Sequence, residues 1–237
     1  MNIILLTTNT SHHLYYAWKI TERFSLKAIF LETSSVQPPF ETYHPFEKLQ
    51  TSYEKETLLS QFNSDFADLA ETYQVKSIND SKNISILQSL KPDLVLVFGT
   101  RKLSKSIIQL ANRACLNLHG GNPEYYRGLD THLWSIYHND FNNLVTTLHH
   151  VDLDLDTGEI VFQAQLKPSR KTHLYELRTL NTEVCVNLSM LAIHTLNMSG
   201  FLPSRKQLAR GRYYSFMPSL LKEDCVKKFN RYLKRLP

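Results

Sequence analysis

The chain has 237 residues, 42% apolar and 21% charged, a composition that sustains a sizeable core and excludes disordered, collagen-like and coiled-coil chains. Its net charge of +5 is uneven: residues 204–237 hold ten Lys/Arg and two acids, against 17 and 20, a net of −3, in residues 1–203. No apolar run approaches the ~18 residues that cross a bilayer, residues 1–6 lack the basic start of a secretory signal, and Cys115, Cys185 and Cys225 lie far apart with no paired spacing for zinc or redox work, so a cytoplasmic, reduced protein is expected.

In chain order, residues 2–8 predict a buried strand, residues 9–13 a polar turn, and Leu14, Tyr15, Trp18, Ile20 and Phe24 a helix. That is the first unit of a parallel α/β sheet. Residues 27–31 predict a second strand. Pro38, Pro39 and Pro45 mark an excursion that becomes helical over residues 53–66. A short strand is expected at 75–78 and a short helix at 83–90. The continuous apolar run of residues 94–98, ending at Gly99, reads as a parallel strand buried on both faces. Ser104 opens another helix, and residues 114–119 form a strand leading into the loop 120–128. Residues 131–138 read as helix, and 143–151 and 158–163 as neighbouring strands. Residues 174–199 read as one long helix with Leu177, Leu180, Val184, Leu188, Leu191 and Leu196 on one stripe.

The expected fold is therefore α/β, a mostly parallel Rossmann-like sheet with flanking helices and a small C-terminal appendage. A body of residues 1–203 is followed by a short basic appendage, 204–237. In that appendage Lys227, Arg231, Lys234 and Arg235 read as a solvated helix face above Val226, Phe229 and Leu233. Nucleic acid is accordingly the disfavoured partner.

The densest polar constellation is Asn117-x-His119, followed at a distance by Asp156-Thr157-Gly158. Positions i and i+2 of a strand share a face, and both residues sit at the carboxyl end of a parallel strand, where open α/β sheets place ligands. An amide N–H beside a neutral imidazole suits acyl transfer: one stabilises an oxyanion and the other takes a proton from an amine. A nearby carboxylate would orient the imidazole.

Asn117-Leu118-His119-Gly120-Gly121-Asn122-Pro123-Glu124-Tyr125-Tyr126-Arg127-Gly128, with Asp154-Leu155-Asp156-Thr157-Gly158-Glu159-Ile160, resembles the folate-dependent formyltransferase family. That family includes methionyl-tRNA, glycinamide ribonucleotide and sugar N-formyltransferases. The resemblance covers roughly residues 1–165. It implies a catalytic trio of Asn117, His119 and Asp156, with N10-formyltetrahydrofolate as donor cosubstrate, a primary amine as acceptor and no metal. It also implies that the pterin lies against residues 98–103, with Phe98, Gly99, Arg101 and Leu103 as contacts, and against the loop Val151 to Asp156, with Val151 and Asp154 as contacts. Acceptor contacts are implied at Thr10, Ser11 and His12, with Arg127 and Tyr213 as further candidates. Thr10 and Ser11 read equally well as helix caps. One departure is plain: where the family loop reads small-Ser-Leu-Leu-Pro, this chain has Gly120, Gly121, Asn122 and Pro123. Its glycines allow unusual dihedrals, close backbone approach or a plain turn.

Other signals are set aside. Asp152-x-Asp154-x-Asp156 imitates a calcium loop, but the glycine falls one position late and Gln163 replaces the final glutamate. Leu153 and Leu155 read as buried strand ends. Of His149 and His150, adjacent on a strand, at most one can join His119, in a hydrogen-bonding role.

For the acceptor, residues 204–237 are too few for the further domain of methionyl-tRNA formyltransferases. The first turn, Asn9 to His12, lacks the glycines of the glycinamide enzyme. The expected acceptor is a nucleotide-linked amino sugar of the kind used in surface polysaccharide, with residues 211–216 able to stack a base or to form a homodimer contact. The alternatives are another amine acceptor, hydrolysis of the formyl folate, or a non-catalytic folate or nucleotide module with an RNA-binding tail.

Overall fold

The computed structural model describes residues 1–236. The first strand, β1 (Ile3–Thr7), is buried at every position and leads into α1 (Ser11–Thr21). β2 (Leu26–Glu32), α2 (Phe46–Leu58), α3 (Phe66–Leu69), β3 (Glu71–Val75) and α4 (Ser81–Leu90) follow. Then come β4 (Leu94–Val97), α5 (Lys105–Ile108), β5 (Ala114–His119), β6 (Tyr126–Gly128), α6 (Thr131–Tyr137), β7 (Val145–His150) and β8 (Ile160–Gln165). α7 (Leu177–Ser199), β9 (Arg212–Tyr214) and α8 (Ser219–Leu233) complete the chain.

The main sheet has the order β3-β2-β1-β4-β5-β7-β8. β1 to β5 are parallel, while β7 pairs antiparallel with both β5 and β8. Strand order reverses between β1 and β4, which opens a crevice at their carboxyl ends. Alternation divides the core. Ile3, Leu5, Leu96, Phe98, Leu116 and Leu118 meet α1 and α7 on one face. Ile4, Leu6, Val95, Val97 and Cys115 meet Leu87 of α4 and Ile107 of α5 on the other.

The α/β, mostly parallel architecture is the expected one; several boundaries move. The helix expected over 53–66 is α2, which starts directly after Pro45 and ends at Leu58. Its buried face is Phe46, Gln50, Glu54 and Leu58, so half its inward stripe is polar. The strand expected at 75–78 is β3 at Glu71–Val75, an edge strand with mostly exposed or half-buried positions. In α7, Leu191 is exposed, and Cys185, Val186, Ser189, Ala192 and Ile193 carry the contact instead.

The boundary drawn at Pro203 marks a change of surface charge rather than of core. Phe229 and Leu233 of α8 share a third apolar cluster with Ile136 of α6 and Leu177 of α7, and the Phe141 and Tyr232 rings stack at 3.9 Å. Lys227, Arg231, Lys234 and Arg235 face solvent. No helix of the described residues is long and apolar enough to cross a membrane.

Candidate active site

β5 places Asn117 and His119 on one face, and its pairing with β7 sets His149 opposite Asn117 and Thr147 opposite His119. The loop from residue 120 returns over the strand end. Thr147 Oγ1 donates to the Gly121 carbonyl at 2.7 Å. A Cβ on Gly121 would stand 3.0 Å from His119 Nε2 and 2.9 Å from Thr131 Oγ1. Close approach to the imidazole, rather than an unusual dihedral, is thus what glycine allows here.

The hydrogen bonds fix the tautomers. His119 Nε2 lies 2.8 Å from the Tyr126 carbonyl oxygen, which can only accept, so Nε2 carries the hydrogen and Nδ1 presents its lone pair. By the same reasoning His149 Nδ1, 2.8 Å from the His150 carbonyl, carries the hydrogen. His149 Nε2 then accepts from Asn117 Nδ2 at 3.1 Å, which orients the carboxamide and leaves its second N–H unused.

Asp156 arrives from the loop between β7 and β8. A Cβ on Gly158 would fall 1.7 Å from the His150 carbonyl oxygen, so only glycine lets this loop close onto the end of β7. Asp156 takes a left-handed φ of 55°. Its Oδ1 lies 3.5 Å from both His119 Nδ1 and His149 Nε2, and the Gly128 N–H donates to Oδ2 at 2.8 Å. Burial opposes its charge, but the positive charge of the His119 and His149 rings when protonated, with the Gly128 N–H, outweighs that penalty and holds the carboxyl well below its ordinary range. An amide, an imidazole and a carboxylate from two remote stretches therefore converge.

The expected donor-site residues fall on both faces of the sheet end. Leu103 and Val151 belong to one apolar cluster on the α4–α5 face, while Gly99 is exposed at φ 79°, where a Cβ would stand 2.5 Å from the His13 ring. Phe98 points to the opposite face, its ring 4.4 Å from that of His13. Arg101 is tied to the buried Glu32, Nη2 to Oε1 at 3.1 Å. Asp154 is exposed and paired with Arg210 at 2.9 Å. Leu153 and Leu155, expected as buried strand ends, are exposed instead, because the chain leaves the sheet at Val151.

The expected acceptor residues also separate. Thr10 precedes α1 without a side-chain cap and bonds His12 Nδ1 at 3.1 Å. His12 is buried, 3.6 Å from Glu54. Arg127 is a brace rather than an open ligand group: it is 6% exposed, its Nε donating to the Leu155 carbonyl at 2.9 Å. Tyr213 is half exposed on β9, its ring against Gly128. His149, absent from the expected set, is the residue that register adds. Among the described residues no three His, Cys, Asp or Glu side chains form a metal-holding group.

A family model described as formyl transferase matches residues 38–184, the stretch holding all three converging groups. The chain belongs to the formyl transferase family. Among its curated relatives, a methionyl-tRNA formyltransferase of Halothermothrix orenii is 30% identical over 147 residues, covering 60% of this chain and 45% of that protein. The chain spans about half the length, or less, of the first curated relatives it matches. Two solved structures share the fold. A 4-N formyltransferase from Francisella tularensis is 18% identical with a TM-score of 0.58, covering 90% of this chain and 76% of its own. The formyltransferase PseJ from Anoxybacillus kamchatkensis, solved with UDP-4,6-dideoxy-4-formamido-L-AltNAc and tetrahydrofolate, is 19% identical with a TM-score of 0.55, covering 99% and 92%.

Proposed function

We propose that this formyl transferase family member moves a formyl group from N10-formyltetrahydrofolate to a primary amine, and that the amine belongs to a nucleotide-linked amino sugar. The observation that carries the reading is the convergence of Asn117, His119 and Asp156 around one strand end. The acceptor nitrogen attacks the formyl carbon; the new C–N bond forms as the bond to the folate nitrogen breaks, and the amine proton ends on that nitrogen. Asn117, aimed by His149, donates its unused N–H to the oxyanion. His119 Nδ1 receives the amine proton beside the Asp156 carboxylate. The apolar wall of Leu103 and Val151, with Leu153 and Leu155 exposed on the next loop, suits a flat heterocycle. What favours a sugar acceptor is the fold shared along 99% of this chain with PseJ, which was solved with a UDP-linked formamido sugar and tetrahydrofolate.

The test incubates the protein with N10-formyltetrahydrofolate and nucleotide-linked 3-amino and 4-amino sugars, with formate release followed in parallel. A formamido sugar is expected. Formate release without amine consumption would turn the reading into hydrolysis. Tetrahydrofolate alone should raise the melting temperature, since a hundredfold excess over Kd contributes about 2.7 kcal/mol; no shift at saturation would count against a folate donor.

A further inference from the structure

The segment between Pro203 and α8 lies beyond the residues the family model matches, and apart from Tyr213 as an expected acceptor contact it has no part in the proposed reaction. Its contacts nevertheless fall on the two loops that carry the site. The Arg205 main chain pairs with Ile160 in both directions, at 2.8 and 2.9 Å, and its guanidinium takes both Glu124 oxygens at 2.7 and 2.8 Å. The Arg212 N–H donates to the Tyr125 carbonyl at 3.0 Å, and β9 pairs with β6.

Between these anchors sits Gln207, half-buried where residues 203–206 and 208–210 are exposed. Its Nε2 lies 2.9 Å from the carbonyl oxygens of both Asp156 and Gly158. Carbonyl oxygens only accept, so the side chain presents both amide hydrogens to them. The two bonds bracket the turn in which Asp156 holds its left-handed φ of 55°, a conformation disfavoured for a residue with a Cβ. The same turn aims the Asp156 carboxylate at His119 Nδ1.

We propose that Gln207 is a positioning residue, holding Asp156 through its main chain, and that residues 204–217 are thereby a working part of the site. The proposal rests on the role given to Asp156 above. It is tested in the full chain with Gln207→Leu and Gln207→Glu, which remove the donors, and Gln207→Lys, which restores one. In the first two, kcat falls about ten- to a hundredfold, the scale of a small misplacement, while KM for donor and acceptor stays within about twofold; Gln207→Lys recovers most of the loss. Unchanged kcat in the Leu and Glu variants, or a Lys variant as slow as Leu, overturns the proposal.

Hydrogen–deuterium exchange keeps the test independent of the reaction. Amides of residues 152–160 exchange faster in the Leu and Glu variants while those of β1 and β4 do not. Equal protection, or loosening spread over the whole sheet, also overturns it. Absence of formyl transfer by the unaltered protein would strike the functional reading and leave the exchange result to decide the clamp.

Discussion

Two clusters at the carboxyl edge of one sheet contain the same residue types and differ in what they can do. Beyond β1, His12, with the His13 ring packed beside it, meets Glu54; at β5 and β7, His119 and His149 meet Asp156. Glu54 is 1% exposed and answered by Arg178, Nη2 to Oε2 at 2.8 Å. Burial opposes its charge, but His12 and Arg178 prevail and bring the carboxyl down to about 2. Burial also pushes His12 and His13 toward the neutral form. Among the described residues no arginine answers Asp156; its partners are two imidazoles and a backbone N–H. A guanidinium keeps its proton at every working pH, whereas an imidazole gives and takes one. The first cluster is a fixed ion pair and the second can move a proton.

The contrast breaks most visibly at the imidazoles. His119→Ala should lower turnover about 10³-fold, the scale of general acid–base catalysis, with circular dichroism and unfolding midpoint little changed. His13→Ala should act mainly on stability, since the ring packs on Phe98. Turnover retained in His119→Ala, measured by formamido product formed per second, would erase the distinction.

Arg178→Met tests the other cluster. It leaves Glu54 buried without its counter-charge, a change that costs about 3–5 kcal/mol, and urea unfolding should show that loss. A difference below about 1 kcal/mol would mean the pair is incidental.

Acid unfolding sharpens the same point. Glu54 has an ordinary value of 4.5 and a folded value of about 2. Its contribution is full above pH 4.5 and disappears as pH falls toward 2, about 3 kcal/mol in all. The buried histidines act earlier. Their folded values lie below the ordinary 6.5, His132 at about 4, so stability starts to drop once the unfolded chain protonates near pH 6.5. Urea midpoints from pH 7 to 2 should therefore decline in two stages. In Arg178→Met the lower stage should shrink; an unaltered lower stage would assign it to other carboxylates.

Much of this frame was legible in the sequence. β4 announced itself because burial on both faces demands an unbroken apolar run at Leu94–Val97, and strand alternation put Asn117 and His119 on one side. α2 was legible only in part: two of its four buried positions, Gln50 and Glu54, are polar, and Glu54 is stabilised by an arginine more than a hundred residues away. His149 shows the same limit at finer scale. Alternation says that one of His149 and His150 turns inward, but only the β5–β7 register says that it lands opposite Asn117. Gln207 carried no signal, because its partners are main-chain carbonyls, which no residue type advertises.

The smallest effect is expected at Arg210. Its guanidinium lies 2.9 Å from Asp154, with side chains 65% and 57% exposed, and exposed pairs contribute about 0.2–1 kcal/mol. Arg210→Ala should therefore barely move the unfolding midpoint. Asp154 and Asp156 belong to one loop, yet the first is held by a screened surface charge and the second by buried groups and the Gln207 amide. If the loop's outer part meets the folate while its inner part serves the chemistry, Arg210→Ala changes KM for the donor and leaves kcat alone. Added salt should then carry the unaltered protein toward the variant's KM, because it screens the exposed pair and leaves the buried contacts intact. A kcat loss in Arg210→Ala as large as that of Gln207→Leu would mean that the loop moves as one piece and that the two ends cannot be told apart.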